Sequence, residues 1–212
     1  MHTRRHALER LALAAEALLV PPFAFRRTVA AAEANQLGAP VPRDLTPDEI
    51  IKLLKLEPNA TCGFVRETYT SALKIAAGGL PAPFADRRPL GTALYFMMTP
   101  QAPVKLHRIK NDQLYHYYLG APIELLMLHI DGTHSFARVG PDLRSGQTVQ
   151  QFIPGNTYHT ARVIGEGRWF LGGSTEWPGV VVDEDVELGD ADALAAKYPA
   201  VAAEIRSFPV PA

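Results

Sequence analysis

Two histidines and two tyrosines are the residues of this 212-residue chain best suited to proton transfer. His107, His159, Tyr115 and Tyr117 all lie in β-rich segments. An imidazole titrates near neutral pH and a phenol can return a proton from the opposite side of a substrate, so the four could carry general acid–base catalysis. Strand tyrosines also fill cores, and a histidine in a polar interior can simply be hydrogen bonded. Both interpretations therefore stay open.

Cys62 is the only cysteine in the sequence. It can form neither an internal disulfide nor a thiolate zinc cluster, so any metal site must use histidine, carboxylate or amide ligands. The sequence contains no glycine-rich phosphate loop and no nucleophile-elbow serine. Nothing in it therefore indicates phosphate binding or serine-hydrolase chemistry.

The elements that must position these residues are short strands. Runs rich in β-branched and aromatic residues follow one another between Gly, Pro and Asp, without intervening helices. This pattern predicts an antiparallel sandwich or barrel. The runs span residues 64–70, 92–99, 104–109, 113–119, 123–130, 136–139, 149–153, 158–163, 168–172 and 180–182.

A helix is predicted on each side of these strands. Thr46, Pro47 and Glu49 place a hydroxyl N-cap, a proline and a glutamate as in a capping box, and Pro58 ends this short helix. Residues 190–208 return to helical spacing, with Asp190 or Asp192 as the cap. The predicted architecture is an all-β core with a short N-terminal helix and a C-terminal helix.

The first 43 residues differ in composition from the rest. Arg4-Arg5, an alanine- and leucine-rich run and Ala32-Glu33-Ala34 follow in the order of a twin-arginine export signal. Charged residues within and after the run fit an organellar transit peptide better. We expect residues 1–43 to be a targeting peptide and linker, disordered or removed, and residues 44–212 to form one domain. Export to the periplasm or outside is predicted, with an organellar or cytoplasmic location as the alternative.

The overall charge argues against two classes of partner. Lys and Arg number 21 against 22 Asp and Glu, which leaves a formal net charge of -1. Such a balance gives no electrostatic reason to bind nucleic acid or an anionic membrane surface. Acidic residues and prolines interrupt the longest apolar run before it could span a bilayer. We therefore predict no nucleic-acid partner and no membrane span.

Several multi-residue blocks occur in a fixed order along the chain. They are Leu56-Glu57-Pro58, Gly63-Phe64-Val65-Arg66-Glu67-Thr68-Tyr69, Leu94-Tyr95-Phe96, His107-Arg108, Asp112-Gln113-Leu114-Tyr115-His116-Tyr117-Tyr118-Leu119-Gly120 and Trp177-Pro178-Gly179. From about Leu45 to Phe208 the chain thereby resembles the uncharacterised Cupin-five family. The resemblance implies a double-stranded β-helix jelly roll, usually homodimeric and related in shape to nucleotide-sugar epimerases. It implies no known reaction.

The resemblance also implies where a metal would bind. Counting from Gly120, Gln113 stands at the usual carboxylate ligand and His107 at the first histidine, whereas Ile109 replaces the second histidine. His159 completes the second motif. The missing imidazole and anionic ligand weaken any divalent site, so no cofactor is predicted. If a divalent metal binds, His107, Gln113 and His159 are its ligands, and we expect these three side chains to converge in one lumen.

Two functions of different classes follow from the lumen residues. In the preferred one, the barrel binds a small polar ligand, sugar-like or acidic, which the histidines and Gln113 orient by hydrogen bonds. The alternative is a metal-independent isomerase or epimerase, in which His107 or His159 removes a proton and Tyr115 or Tyr117 returns one. A metal-dependent cupin enzyme is the third hypothesis.

Arg66 and Glu67 complete the ligand-binding candidates. The resemblance implies that one of them contributes to the pocket. Because neighbouring strand residues point to opposite faces of a sheet, both cannot point inward. The predicted partners are thus a small-molecule ligand and a second copy of the chain.

Overall fold

Helix α1 (Pro47–Leu54) begins at the predicted capping box. In the computed structural model, which describes residues 45–84, 87–165 and 169–208, the Thr46 side chain accepts a hydrogen bond from the Glu49 backbone N–H. The Glu49 carboxylate accepts the Thr46 N–H at 2.8 Å, so the predicted capping box is confirmed. Ile50 packs with Met97 and Leu171, and α1 therefore covers the outer face of a sheet.

The strands are short and lie between turns, as the β-rich runs predict. They are β1 (Glu57–Pro58), β2 (Phe64–Thr70), β3 (Thr92–Met98), β4 (Val104–Ile109), β5 (Asp112–Gly120), β6 (Ile123–Leu128), β7 (His134–Val139), β8 (Gln150–Ile153), β9 (Tyr158–Val163), β10 (Phe170–Trp177) and β11 (Val186–Leu188). Within the described residues they form a six-stranded sheet, in the order β1-β2-β3-β10-β5-β8, and a five-stranded sheet, in the order β11-β4-β9-β6-β7. The antiparallel jelly-roll core is confirmed.

Alternating side chains from the two sheets meet in the main core. Phe96, Tyr115, Leu125, Ile153 and Phe170 are each at most 1% exposed and belong to one apolar cluster. The opposite, outward-facing residues of the five-stranded sheet pack against the C-terminal helices. These are α3 (Ala191–Lys197) and α4 (Ala202–Ser207).

The predicted C-terminal helix is present but divided. Asp190 caps α3, accepting the backbone N–H groups of Asp192 and Ala193. A 3-10 turn, Pro199–Val201, then separates α3 from α4. Proline lacks the N–H that a continuous helix needs at this point, which explains the interruption.

The end of the β region differs from the sequence prediction. β10 continues five residues beyond the predicted end at Gly172, to Trp177. Gly173 lies under the Tyr118 ring and does not end the strand: a Cβ at this position would come within 2.8 Å of that ring. The predicted strand 180–182 is wrong, since Val182 begins a short helix, α2 (Val182–Asp185), that leads into β11.

A buried ion pair ties α2 to the segment that precedes β3. Arg88 is 1% exposed, and its guanidinium bonds both Asp185 and, at 2.7 Å, Glu184. The Lys110 ammonium lies 3.9 Å from the other carboxylate oxygen of Asp185. The pair therefore fixes the position of the chain around α2.

Gly120 ends β5 with a φ of +91° and sits against Trp169. A Cβ at Gly120 would lie 2.6 Å from Cε3 of the Trp169 ring, and closer still to its carbonyl oxygen. We expect Gly120→Ala to lower the free energy of unfolding by about 2–4 kcal/mol, from left-handed strain plus overpacking. Gly132→Ala is the matched control, because Gly132 has φ +87° and nothing within 4 Å. Urea unfolding of both variants tests this, and equal losses would reject the packing argument.

The predicted targeting peptide and linker, residues 1–43, lie outside the described residues, so both remain predictions. In the part of the chain that the structure describes, no helix combines the length and apolar character needed to cross a membrane.

Candidate functional site

His107 and His159 face each other inside the barrel. They are partners in the β4–β9 register, and their ring centroids are 4.3 Å apart. His107 Nδ1 lies 2.8 Å from the Lys105 carbonyl oxygen, and His159 Nδ1 lies 3.2 Å from that of Thr157. Because a carbonyl only accepts, each Nδ1 carries the hydrogen. Each Nε2 is therefore a hydrogen-bond acceptor.

The two imidazoles are neutral but not equivalent. Burial lowers the pKa of His107 to about 4, and burial together with the neighbouring His107 holds the pKa of His159 well below its usual range. The Nε2 of His159 accepts the Tyr115 hydroxyl at 3.0 Å. Among the described residues, no group bonds the Nε2 of His107. His107 is thus the histidine with a free acceptor.

Tyr115 and Cys62 keep their protons. Tyr115 is 1% exposed, and burial raises the pKa of its phenol well above the usual value. The Cys62 thiol lies beside this phenol, and burial raises its pKa to about 11. Since the Tyr115 hydroxyl is committed to His159, it positions that imidazole rather than acting as a proton donor to a ligand.

Gln113 and Glu176 form the opposite wall. They are register partners on β5 and β10 and are 5% and 2% exposed. The Thr92 hydroxyl donates to Glu176 Oε2 at 2.8 Å, and burial raises the pKa of the Glu176 carboxyl. Gln113 Oε1 is buried without a hydrogen-bond partner among the described residues. Gln113 therefore brings a buried, unsatisfied amide acceptor to the cavity wall.

These groups surround a cavity of about 150 Å³. An apolar cavity of this size holds a molecule about as large as benzene. Its polar lining comprises Asn59, Thr61, Cys62, Glu67, Thr92, His107, Gln113, Tyr115, Ser174 and Glu176, and its apolar lining includes Val65, Leu94, Phe96, Ile109, Val180, Val182 and Val186. None of the described lining residues is lysine or arginine.

The structure brings most of the predicted site residues to this cavity. His107, Gln113, Tyr115 and Glu67 line it directly. His159 lies behind the lining, against both His107 and Tyr115. The three residues expected to share one lumen therefore lie on its inner wall or directly behind it.

Two predicted residues lie elsewhere. Tyr117 donates its hydroxyl to the Gly120 carbonyl at 2.8 Å and packs against Phe170, at the far end of β5 from Gln113. Arg66 lies on the outer face of the sheet, with its guanidinium 5.5 Å from the centre of the Tyr95 ring. Alternation along β2 turns Arg66 outward and Glu67 inward. Neither Tyr117 nor Arg66 lines the cavity.

Sequence reasoning did not identify Glu176. The sequence feature that could have identified it is the polar alternation of Ser174 and Glu176 after the glycine pair. The predicted strand ends before them, at Gly172. Extending the strand would have placed both side chains on the inner face with Gly172. Cys62 also lines the cavity, although the sequence suggests for it only disulfide or zinc chemistry.

The residues do not fit a divalent metal ion. Across residues 45–84, 87–165 and 169–208, no three His, Cys, Asp or Glu side chains are grouped closely enough to hold one. The Nε2 of His159, which would be a ligand atom, accepts the Tyr115 hydroxyl instead. Ile109 contributes an alkyl group where an imidazole would be needed.

Comparisons with known proteins agree with this architecture. A family model described as Cupin superfamily (DUF985) matches residues 48–188, whereas no curated protein matches the chain. A hypothetical protein from Leishmania major is 25% identical, with a TM-score of 0.70 over 78% of this chain and 99% of its own. A protein from Shewanella oneidensis is 26% identical, with a TM-score of 0.68 over 80% of this chain and 100% of its own. Oxalate decarboxylase from Bacillus subtilis matches at 16% identity and a TM-score of 0.43, over 71% of this chain and 36% of its own, which supports no argument about activity.

Proposed function

Since this chain belongs to the cupin superfamily, in the DUF985 family whose model matches residues 48–188, we propose that its lumen cavity binds one small polar molecule. The observation that carries this proposal is the unpartnered Gln113 Oε1 in the cavity wall. Leaving a buried acceptor unpaired costs about 1–3 kcal/mol. A ligand that donates a hydrogen bond to it recovers that free energy.

The charge of the lining narrows the ligand class. Glu67 and Glu176 contribute carboxyl groups, and the described lining contains no lysine or arginine. A carboxylate ligand would meet like charge without a cation to pair with. A small, donor-bearing molecule therefore suits the site better than an acid.

Binding is tested with the purified chain and a panel of small alcohols, diols, amines and acids, by calorimetry and thermal shift. Gln113→Leu should weaken the best ligand roughly tenfold, the loss expected for one hydrogen bond to a buried group. Gln150→Leu, the same change on the exposed outer face, is the matched control and should leave affinity unchanged. Equal affinity in the Gln113 variant would contradict this placement of the ligand.

Proton transfer is a second candidate function. It is favoured by the location of the His107 Nε2 acceptor and the Glu176 carboxyl in one cavity. Glu176 replaces the tyrosines as the second proton-transfer group, because the Tyr115 hydroxyl is bonded to His159. Hydroxyacetone in the same panel, held in D₂O, would reveal catalysis by exchange of its α-protons.

The predicted homodimer and export also remain proposals. Support for the dimer comes from exposed aromatic residues on the six-stranded sheet, which a second copy would cover. Tyr118, Phe152 and Trp177 are 43%, 50% and 49% exposed.

The proposal of export rests on the composition of residues 1–43 alone.

A further inference from the structure

We propose that the ligand of the lumen cavity is a small primary amine in its ammonium form, held by Glu176, Gln113 and His107. This inference rests on the proposed function, since it names the chemical class of the molecule that the cavity binds. The charge of the lining, its hydrogen-bond acceptors and its apolar walls support it independently.

Charge is the first reason. Glu176 is 2% exposed, and Glu67 on β2 also lines the cavity, although Glu67 itself is exposed. His107 is neutral because burial lowers its pKa to about 4. A buried carboxylate attracts a cation more strongly than the same pair would attract each other in water. The described lining contains no lysine or arginine that could pair with the Glu176 carboxylate.

The hydrogen-bond inventory is the second reason. The Glu176 carboxyl and His107 Nε2 are acceptors of the cavity wall, and Gln113 Oε1 is a buried acceptor of the same wall without a partner among the described residues. The Ser174 hydroxyl, also in this wall, has no partner among them either. The tautomer of His107 is set by its bond to the Lys105 carbonyl, so its Nε2 accepts and does not donate. An ammonium group has three N–H donors and no acceptor, whereas a hydroxyl has one donor. An ammonium group therefore offers a donor for each of these acceptors, whereas one hydroxyl offers a single donor.

The remaining lining is the third reason. Val65, Phe96, Ile109, Val180 and Val186 give the cavity apolar walls next to this polar group. A short alkyl chain of about four to six heavy atoms would fill the volume and leave no room for a second charged end. Small monoamines are therefore favoured over amino acids and diamines.

Proton release on binding should accompany this recognition. Burial raises the pKa of Glu176 and so favours its protonated form, whereas an ammonium ion beside the carboxyl favours ionisation. Amine affinity should therefore increase with pH as Glu176 loses its proton. The titratable groups around Glu176 are Glu67 on β2, His107 on β4, Tyr115 on β5 and Cys62 before β2, with His159 on β9 behind them.

An isosteric series tests the inference with the full chain. Isobutylamine, isobutanol and isobutyrate share one alkyl group and differ in the charge of the other end. Calorimetry at pH 7 should show isobutylamine binding at least tenfold more tightly than isobutanol, and isobutyrate not binding. Repeating the amine titration at pH 5.5, in buffers of different ionisation enthalpy, should show proton release.

Glu176→Gln is the decisive variant, since the amide keeps a hydrogen-bond acceptor for Thr92 and removes the charge. It should reduce isobutylamine affinity at least tenfold and change isobutanol affinity less than twofold. Glu57→Gln, an exposed carboxyl on β1, is the matched control. Tighter binding of isobutanol than isobutylamine to the wild type would overturn the inference and leave the proposed function standing. If no molecule of the panel bound, both would be overturned.

Discussion

Replacing Arg88 by alanine should lower the free energy of unfolding by about 3–5 kcal/mol. The Arg88 and Asp185 side chains are 1% and 0% exposed, so the substitution leaves the Asp185 carboxylate buried without its cation. Lys110, at 3.9 Å and partly exposed, is too distant to replace the guanidinium. Urea unfolding followed by circular dichroism measures the loss.

A surface pair in the same protein supplies the control for Arg88→Ala. Arg108 bonds Glu187 at 2.7 Å, but 34% and 53% of these side chains are exposed. Exposed ion pairs contribute little, so Arg108→Ala should cost about 1 kcal/mol or less. If both substitutions cost the same, the buried pair would not be a main support of the segment around α2.

The second large effect is the creation of a metal site. Ile109→His together with Gln113→Glu supplies the missing imidazole and the anionic ligand beside His107 and His159. At nickel or zinc concentrations a few hundred times the dissociation constant, the double variant should gain on the order of 3 kcal/mol of stability. The wild type should show little stabilisation in the same thermal scans, because its residues do not group as ligands.

The single variants control this design. Ile109→His alone lacks the anionic ligand, and Gln113→Glu alone lacks the third imidazole, so each should gain much less than the pair. Elemental analysis of purified wild type offers the contrary outcome. Tightly held stoichiometric metal that is lost in His159→Ala would restore the hypothesis of a metal-dependent cupin enzyme.

Local chemistry explains why much of the fold could be predicted. The capping box at Thr46 and the alternation in β4 and β9 depend on neighbours in sequence, and the predicted bounds 104–109 and 158–163 match the structure. Prediction failed where contacts between residues far apart in sequence determine where a strand ends. The glycines of β10 were read as a strand end because only the tertiary structure shows Tyr118 packed over Gly173.

Which residues face the lumen could be predicted from the sequence, but their hydrogen-bond partners could not. Strand alternation predicts Gln113 on an inner face, and the family resemblance implies His107 beside it; both side chains line the cavity. The sequence could not distinguish Tyr115 from Tyr117, because both point inward on β5. Their roles depend on hydrogen-bond partners that only the folded structure brings near. One hydroxyl meets His159, and the other meets the Gly120 carbonyl.

The strand order has a consequence for how the chain folds during translation. β6 and β7 are adjacent in sequence and can pair as a hairpin soon after they leave the ribosome. β3 can pair with β2, but its other edge stays unpaired, because Met98 there pairs with Phe170 on β10. Glu176 reaches the cavity only with that late strand. Until β10 is synthesised, the nascent chain exposes an unpaired strand edge, the feature that makes folding intermediates prone to aggregate. Acquisition of the cavity is thus among the last events of synthesis, and a ribosome pause before residue 170 would prolong the vulnerable state.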